Sequence, residues 1–523
     1  MKSKKWTLSS SGKHQVYERI VLWIRLFLSF LKYLLCCIMK RLRLIVQRRR
    51  KDSEGSSSDR DDENDQCKLM SLGNGGLASR PTDVGNNNTN QSSSGSMIET
   101  PLVSALERDA EFLARLLRAA EGDPHLRVDR LHATPAARAG PNYMASITRM
   151  HLFGRRGSQE HSFRRVLLVK RQSSGVGAVT TRRSKRSDPA FCNEAAAYDV
   201  VLPALRPPPS QPPLPFAQCL YASSHLLILH DLCQDGYVMA DRRQGVDFHH
   251  CRLVLQTLAK FHAASLVMKH NDKTGFERMR THIQELIFVP EAVPVFGASL
   301  ENSLKMAIST LKSWCGPEDV ALDDAIHKLQ MLQGQVFQRM VQVITPKEPL
   351  AVICHGDFWI NNMLFRYNEE DKTAEDVKFV DLQVTRYASP VTDILLFLYT
   401  SAERDVTRMH YDDLLDIYHH QLISSVSQLA PSAPAIKLTD LVNEIERHAL
   451  FALLMVLLLL PAVTADSVPD DVIHNNNYET ADQQSSLELQ KKGCLESTKE
   501  CLTPRYREHV RDMVLEFVDR GFI

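Results

Sequence analysis

Net charge is scarce in this 523-residue sequence: 63 basic side chains stand against 62 acidic ones, a formal +1. A balance that close excludes a chain built throughout as a nucleic-acid binder or as a uniformly acidic surface. Cysteine patterning is scarce too. The eleven cysteines are an odd number in a long chain, with no CxxC pair and no Cys/His ligand spacing. Disulfide frameworks belong to short secreted chains, so reduced thiols in the cytoplasm are the expectation. A secretory leader is also disfavoured. Nineteen mostly polar residues precede the first apolar stretch, and Arg25 and Lys32 interrupt it.

The near-zero total is an average over unlike parts. Residues 1–51 carry 14 Lys/Arg against Glu18 alone, a local +13; residues 52–101 carry 3 basic and 9 acidic residues; the remainder carries 46 and 52. Within Ile20–Arg50, the polar positions Arg25, Ser29, Lys32, Lys40, Arg43 and Gln47 fall on one narrow helical stripe, with Arg41 off it. A crossing helix would place Arg25 or Lys32 in hydrocarbon at about 2.5–3.5 kcal/mol each. Lying in the interface avoids that cost and suits an anionic membrane surface, with Cys36-Cys37 as candidate palmitoylation sites. A membrane span and a helix docked on its own protein are the alternatives. Residues 52–101 (DSEGSSSDRDDENDQ, then GNNNTNQSSSGS) can bury no core and read as a disordered linker. The N-x-[ST] matches at Asn87 and Asn90 are accidents of that composition. The location expected is cytoplasmic and membrane-associated.

From residue 102 the pattern is globular, and the fold class is α+β with two lobes: residues 102–232, rich in strands, and residues 233–523, largely helical. Leu102–Arg118 reads as an amphipathic helix, and Tyr143–Phe153 and Phe163–Lys170 as strands joined by a turn. Asp188-Pro189 opens a helix running through Glu194 to about Leu202. Arg206–Pro215 is an extended connector, Leu226–Leu229 a short strand and Asp247–His270 a helix. The apolar run Ala449–Leu460 is too short before Pro461 to span a membrane and reads as a buried helix.

Chemistry concentrates in Cys354–Gln383. His355-Gly356-Asp357 is followed five residues later by Asn362, the H-x-D-x4-N spacing of a kinase catalytic loop. Met363–Tyr367 and Val377–Val380 form a hairpin, which brings Asn362, entering it, beside Asp381, leaving it. An amide and a carboxylate at one point suit Mg²⁺ carried on nucleotide phosphates, with Asp357 free to take an acceptor proton. A capped, Asx-rich turn is the bland alternative. Upstream, Lys170 closes an apolar strand and Glu194 lies on the next helix, the pairing that holds α/β-phosphates in kinases. The turn Gly140-Pro141-Asn142-Tyr143 would cover those phosphates. Its single glycine is a weaker signal than a glycine-rich loop.

The segments HGDFWINN, DLQ, FCNEAAAYDVVLP, LLILHDL and LAKFHA resemble the ecdysteroid kinase-like (CHK kinase-like) family of insects, within the choline kinase/aminoglycoside phosphotransferase group. The resemblance spans Gly140 to Ile523. It implies a bilobal kinase-like fold and ATP-dependent phosphorylation of a small-molecule hydroxyl, with ecdysteroids the best-known acceptors. It also implies Asp357 as base, His355 as its loop-stabilising neighbour, Asn362 and Asp381 as magnesium ligands, and Lys170 with Glu194 as the phosphate pair. Asp393 supports the catalytic loop in that comparison. The hinge departs from the family's Glu-Asp-Leu, reading His230-Asp231-Leu232, and Asp231 joins Asn142, Lys170 and Glu194 as an expected nucleotide contact. A membrane-tethered pseudokinase or nucleotide/lipid-binding protein is the alternative. A protein kinase is disfavoured, because Asp381-Leu382-Gln383 lacks the DFG glycine. Phe288, Phe296, Trp314 and Phe397 are candidate pocket aromatics, more often core than site. His262 reads as a packed histidine.

Overall fold

The computed structural model describes residues 110–136, 145–172, 189–316, 318–464 and 503–523. The basic segment 1–51, the linker 52–101, the turn holding Asn142, and Asp188 all lie outside the described residues.

The first described helix, α1 (Ala110–Glu121), buries Leu113, Ala114 and Leu117 on one face and ends at Gly122, whose φ of 67° an L side chain rarely adopts. The smaller lobe then builds one sheet from β1 (Arg127–Pro135), β2 (Ala145–Arg156) and β3 (His161–Gln172). Helix α2 (Pro189–Ala196) follows and passes through a widened turn at Ala197–Val201 to Leu202–Ala204, close to the end expected for it. The sheet is completed by β4 (Cys219–Ala222) and β5 (Leu226–His230), in the antiparallel order β1-β2-β3-β5-β4. Strands β1 and β4 were not anticipated. RVDRLHATP carries too few apolar residues, and CLYA is too short, to stand out from a loop.

Register separates the two faces of the sheet. Met150, Leu152, Leu167 and Val169 lie on one face and are buried; α1 covers it, with Phe112 edge-on to Tyr221 of β4 at 5.4 Å. Lys170 and Leu168 belong to the other face, turned toward the cleft.

The larger lobe opens with α3 (Phe248–Asn271), whose N-cap Asp247 accepts the His250 amide at 2.9 Å. Helices α4 (Lys273–Arg280), α5 (Ala298–Lys312), α6 (Val320–Met331) and α7 (Val336–Ile344) precede the short strand β6 (Val352–Cys354). Then come the hairpin β7 (Met363–Tyr367) and β8 (Ala374–Phe379), strand β9 (Arg386–Ala388) paired with β6, and helices α8 (Val391–Ser401), α9 (Arg404–Leu429), α10 (Leu438–Thr464) and α11 (Pro504–Asp519). Three-residue strands leave no periodic signal, so the β6–β9 pair was not foreseen.

The core of this lobe is built where α3 packs along α9 and α8 packs along α10. Every residue of α8 is buried, and each leucine, isoleucine or phenylalanine so placed contributes roughly 1.5–3 kcal/mol. The run Ala449–Leu460 sits in α10 as a buried helix, and α10 continues past Pro461 to Thr464. No helix among the described residues is long and apolar enough to cross a membrane. Phe288, Phe296 and Phe397 are core residues: Phe288 packs on Phe296 at 5.6 Å and Phe397 on Phe358 at 5.9 Å, whereas Trp314 is partly exposed.

Candidate active site

The loop after β6 is held by one buried carboxylate. Asp393, on the first turn of α8, accepts the amide N–H of His355 at 2.7 Å and that of Gly356 at 2.9 Å. Burial alone would push this carboxyl up, but His262, His355 and the Gly356 amide outweigh it and hold Asp393 below the usual carboxylate range. Gly356 has φ 87°, and a Cβ there would run into the Val384 carbonyl, so the loop demands glycine. The His355 ring is buried, with Nε2–H donating to the Val380 carbonyl at 2.9 Å. His355 therefore positions the loop and does not face the cleft.

His262 lies behind Asp393 as the packed histidine that the sequence suggests, bonded to Tyr418 Oη at 2.8 Å and Asp393 at 3.3 Å. With Cys354 these groups come within 4.8 Å of one another. Their hydrogen bonds run to protein partners: the Cys354 thiol reaches the carbonyl of Ser389 at 3.4 Å, and burial keeps it a thiol. The cluster is a structural hub. Asp393→Ala strips two buried amides and His262 of their acceptor at once and is expected to cost about 3–5 kcal/mol in chemical denaturation. A variant as stable as wild type would remove Asp393 from this role.

Asp357 follows, half-buried. Asn362 Nδ2 donates to the Asp357 carboxylate at 2.9 Å and to its carbonyl at 2.8 Å. That fixes the amide with its nitrogen toward Asp357 and leaves Oδ1 for another partner. Burial first, and then the neighbouring Asp381, raise the Asp357 carboxyl above its ordinary range.

The hairpin does what its sequence implies. Met363 pairs with Phe379, and the Val380 amide donates to the Asn362 carbonyl at 3.0 Å, so Asp381 leaves β8 next to Asn362. Asp381 itself has φ 70°, a left-handed backbone that costs a non-glycine residue about 1–3 kcal/mol. The strain sits at the residue whose carboxylate must turn back toward the smaller lobe. Lys170 Nζ meets Asp381 at 2.8 Å and Glu194 at 2.6 Å. Burial would lower the Lys170 ammonium, but the two carboxylates outweigh it and hold it above its usual value. Glu194, fully buried, is pushed up by desolvation.

Lys170, Glu194, Asp357, Asn362 and Asp381 thus converge across the cleft between the lobes. Asp381 and Glu194 share the Lys170 ammonium, and Asp357 adds a third carboxyl beside Asp381, so hard oxygen donors outnumber the cation here. With the Asn362 carbonyl oxygen beside them, this donor set fits a divalent cation such as Mg²⁺. Asp231 departs from expectation in what its side chain does. It is buried, accepting the Cys233 amide at 3.1 Å and the guanidinium of Arg149. The carboxylate caps the turn Leu232–Asp235 that follows β5. His230 bonds Asp235 at 2.8 Å.

Three positioning residues escaped the sequence reading. Gln383 Nε2 donates to Asp381 at 2.8 Å. Asn193, adjacent to Glu194, donates to the Thr385 carbonyl at 2.9 Å and accepts the Gln284 amide at 2.9 Å, tying α2 to the larger lobe. Arg386 donates to the Gly356 carbonyl at 3.2 Å. Gln383 stood inside the recognised DLQ triplet; Asn193 and Arg386 gave no signal that spacing could isolate.

A family model described as the ecdysteroid kinase-like family matches residues 139–430, more than half of the chain. The chain belongs to the ecdysteroid kinase-like family. It is a small-molecule kinase with a bilobal kinase-like fold. No curated protein matches it. Among solved structures, the chain is similar to a Plasmodium vivax ethanolamine kinase, with 11% identity, 79% of this chain and 92% of that one covered, and a TM-score of 0.35. It is similar also to a choline/ethanolamine kinase family protein from Mesorhizobium loti, at 11% identity, 74% and 92% coverage and a TM-score of 0.30. A GDP complex of an aminoglycoside 2'-phosphotransferase gives 9%, 79% and 99%, and 0.31.

Proposed function

We propose that the chain transfers the γ-phosphoryl group of ATP to a hydroxyl of a small apolar alcohol, an ecdysteroid or a molecule like one. The observation that supports this most is the convergence of Lys170, Glu194, Asp357, Asn362 and Asp381 on one cleft. Lys170, kept charged by Asp381 and Glu194, would meet the α/β-phosphates. Asp357 would orient the acceptor hydroxyl and take its proton as the oxygen attacks the γ-phosphorus, the bond to the β,γ-bridging oxygen breaks and ADP leaves. Its raised carboxyl makes it a better base than an exposed aspartate, with the proton moving to a site already biased to hold one. Asn362 and Asp381 would hold Mg²⁺, which when bound neutralises charge on the transferring phosphoryl group. Asp393, His355 and Gly356 keep Asp357 in place without touching substrate.

A pseudokinase would retain the cleft without its base. The intact Asp357–Asn362 contact favours catalysis. The test is to incubate the full chain with γ-labelled ATP and Mg²⁺ against a panel of ecdysteroids, sterols and xenobiotic alcohols. Label on at least one alcohol is expected; nucleotide binding with no label on any of them would favour the pseudokinase.

The membrane partner is a separate proposal, resting on the +13 of residues 1–51. Deleting them is expected to move the protein from pelleted vesicles of anionic lipid to the supernatant. A truncated chain that still pellets places the anchor elsewhere.

A further inference from the structure

Strand register places an arginine where a nucleotide base would lie. Lys170 marks the phosphate end of the cleft-facing side of the sheet. Two residues back on β3, about 7 Å along the strand, Leu168 shares that face. The partners directly opposite Leu168 are Arg149 on β2 and Leu229 on β5, and Arg149 in turn faces Thr134 on β1. Opposed residues in an antiparallel pair project to the same side, so Thr134, Arg149, Leu168 and Leu229 form one row across the roof of the cleft. A ribose spans the gap between the phosphates at Lys170 and a base under this row.

Arg149 is not a loose surface cation. Its Nε–H donates to Asp231, which is only 2% exposed, and Nη2 lies 3.7 Å from Cys233 Sγ. The Arg149 side chain itself keeps 28% of its exposure. The far face of the sheet is covered by α1, so the open side of the guanidinium is the cleft side. A buried carboxylate at the hinge therefore grips one edge of a planar group whose side chain stays partly exposed. Such a plane stacks on an aromatic ring in a way that an ammonium cannot.

Resting on the reading of the cleft as a nucleotide site, we propose that Arg149 is its base-recognition residue: pinned edgewise by Asp231, its guanidinium forms a flat plate against the purine ring. Asp231 then acts on the nucleotide through Arg149, as a positioning residue. The hinge carboxylate is spent on orienting the plate, which accounts for its being turned away from the ligand. Neither role is evident from the sequence, where Arg149 is one arginine among many on a basic strand.

The experiment is a calorimetric titration of the full chain with Mg·ATP and, separately, with Mg·ribose 5-triphosphate, which keeps the phosphates and sugar but has no base. Arg149→Ala is expected to weaken ATP about 10- to 100-fold, the range for losing one stacking side chain, and to leave ribose 5-triphosphate unchanged. Arg149→Lys keeps a charge that can still pair with Asp231 and guards against misfolding; it is expected to lose ATP affinity nearly as far. Asp231→Asn, which can still accept the Cys233 amide, should shift ATP in the same direction by less. Equal loss for both ligands would make Arg149 a charge contact and overturn the proposal, as would ATP affinity unchanged in both Arg149 variants. Wild type that binds neither ligand would instead remove the nucleotide site itself, and this inference with it.

Discussion

Asp357→Asn is expected to cut acceptor phosphorylation by about 10³-fold while Mg·ATP binds nearly as before, and to make the metal-free protein more stable. The two outcomes share one cause. Asparagine keeps the shape of the side chain and can still accept the Asn362 amide, so the loop persists, but it takes no proton from the alcohol. Burial and Asp381 raise the Asp357 carboxyl in the fold, so its folded pKa lies above its unfolded one. Such a group stabilises the fold fully below the unfolded value of about 3.9, and that contribution is lost as pH rises through the folded value. At neutral pH the ionised aspartate is therefore a burden that asparagine lifts. Thermal unfolding at pH 7.5 should show a higher Tm for the variant, and the gain should vanish in acid. The same shift sets the pH dependence of wild type: kcat/KM should fall on the acid side at a pH above the ordinary carboxylate range. Wild-type rates in the variant, or an acid limb at the usual aspartate pKa, would contradict the role given to Asp357.

Asp381→Asn carries the second large effect, because Asp381 serves two partners. It is the counter-ion of Lys170 at 2.8 Å and one of the two groups proposed to hold Mg²⁺. Its loss is expected to lower turnover by about 10³-fold or more and to displace the magnesium activation curve to concentrations at least about tenfold higher. It also removes the charge that helps raise Asp357, so the acid limb of whatever activity remains should move down in pH. Rates measured against magnesium concentration check both. An activation curve identical to wild type would show that Asp381 is only an ion-pair partner of Lys170.

How far the sequence reached depended on the range of the interactions. The hairpin was legible because its register follows from chain connectivity: Asn362 and Asp381 sit at its two open ends whatever else the fold does. Asp357 was legible from spacing, and the Lys170–Glu194 pair from a strand followed by a helix. Helix α3, read from the sequence as Asp247–His270, runs from Phe248 to Asn271 with Asp247 as its N-cap. What stayed hidden was set by tertiary partners. Strands β6 and β9 are three residues each and exist only because they pair with each other. Asp231 looked like a nucleotide contact, since its bond to Arg149, 82 residues away, depends on how β2 and β3 register against β5. Asn193 and Arg386 matter only because the fold brings distant carbonyls to them. The left-handed backbone at Asp381 could not be inferred either, since nothing local favours that conformation for an aspartate.

The most direct test of the account is the stereochemical course of transfer. ATP made chiral at the γ-phosphorus with oxygen isotopes is turned over with Mg²⁺ by the full chain, on whichever alcohol of the panel accepts. If Asp357 is a base and the alcohol oxygen attacks phosphorus in line, one bond forms as one breaks and the configuration inverts. Retention would mean two displacements, with a phosphorylated enzyme group between them. It would contradict the role proposed here for Asp357.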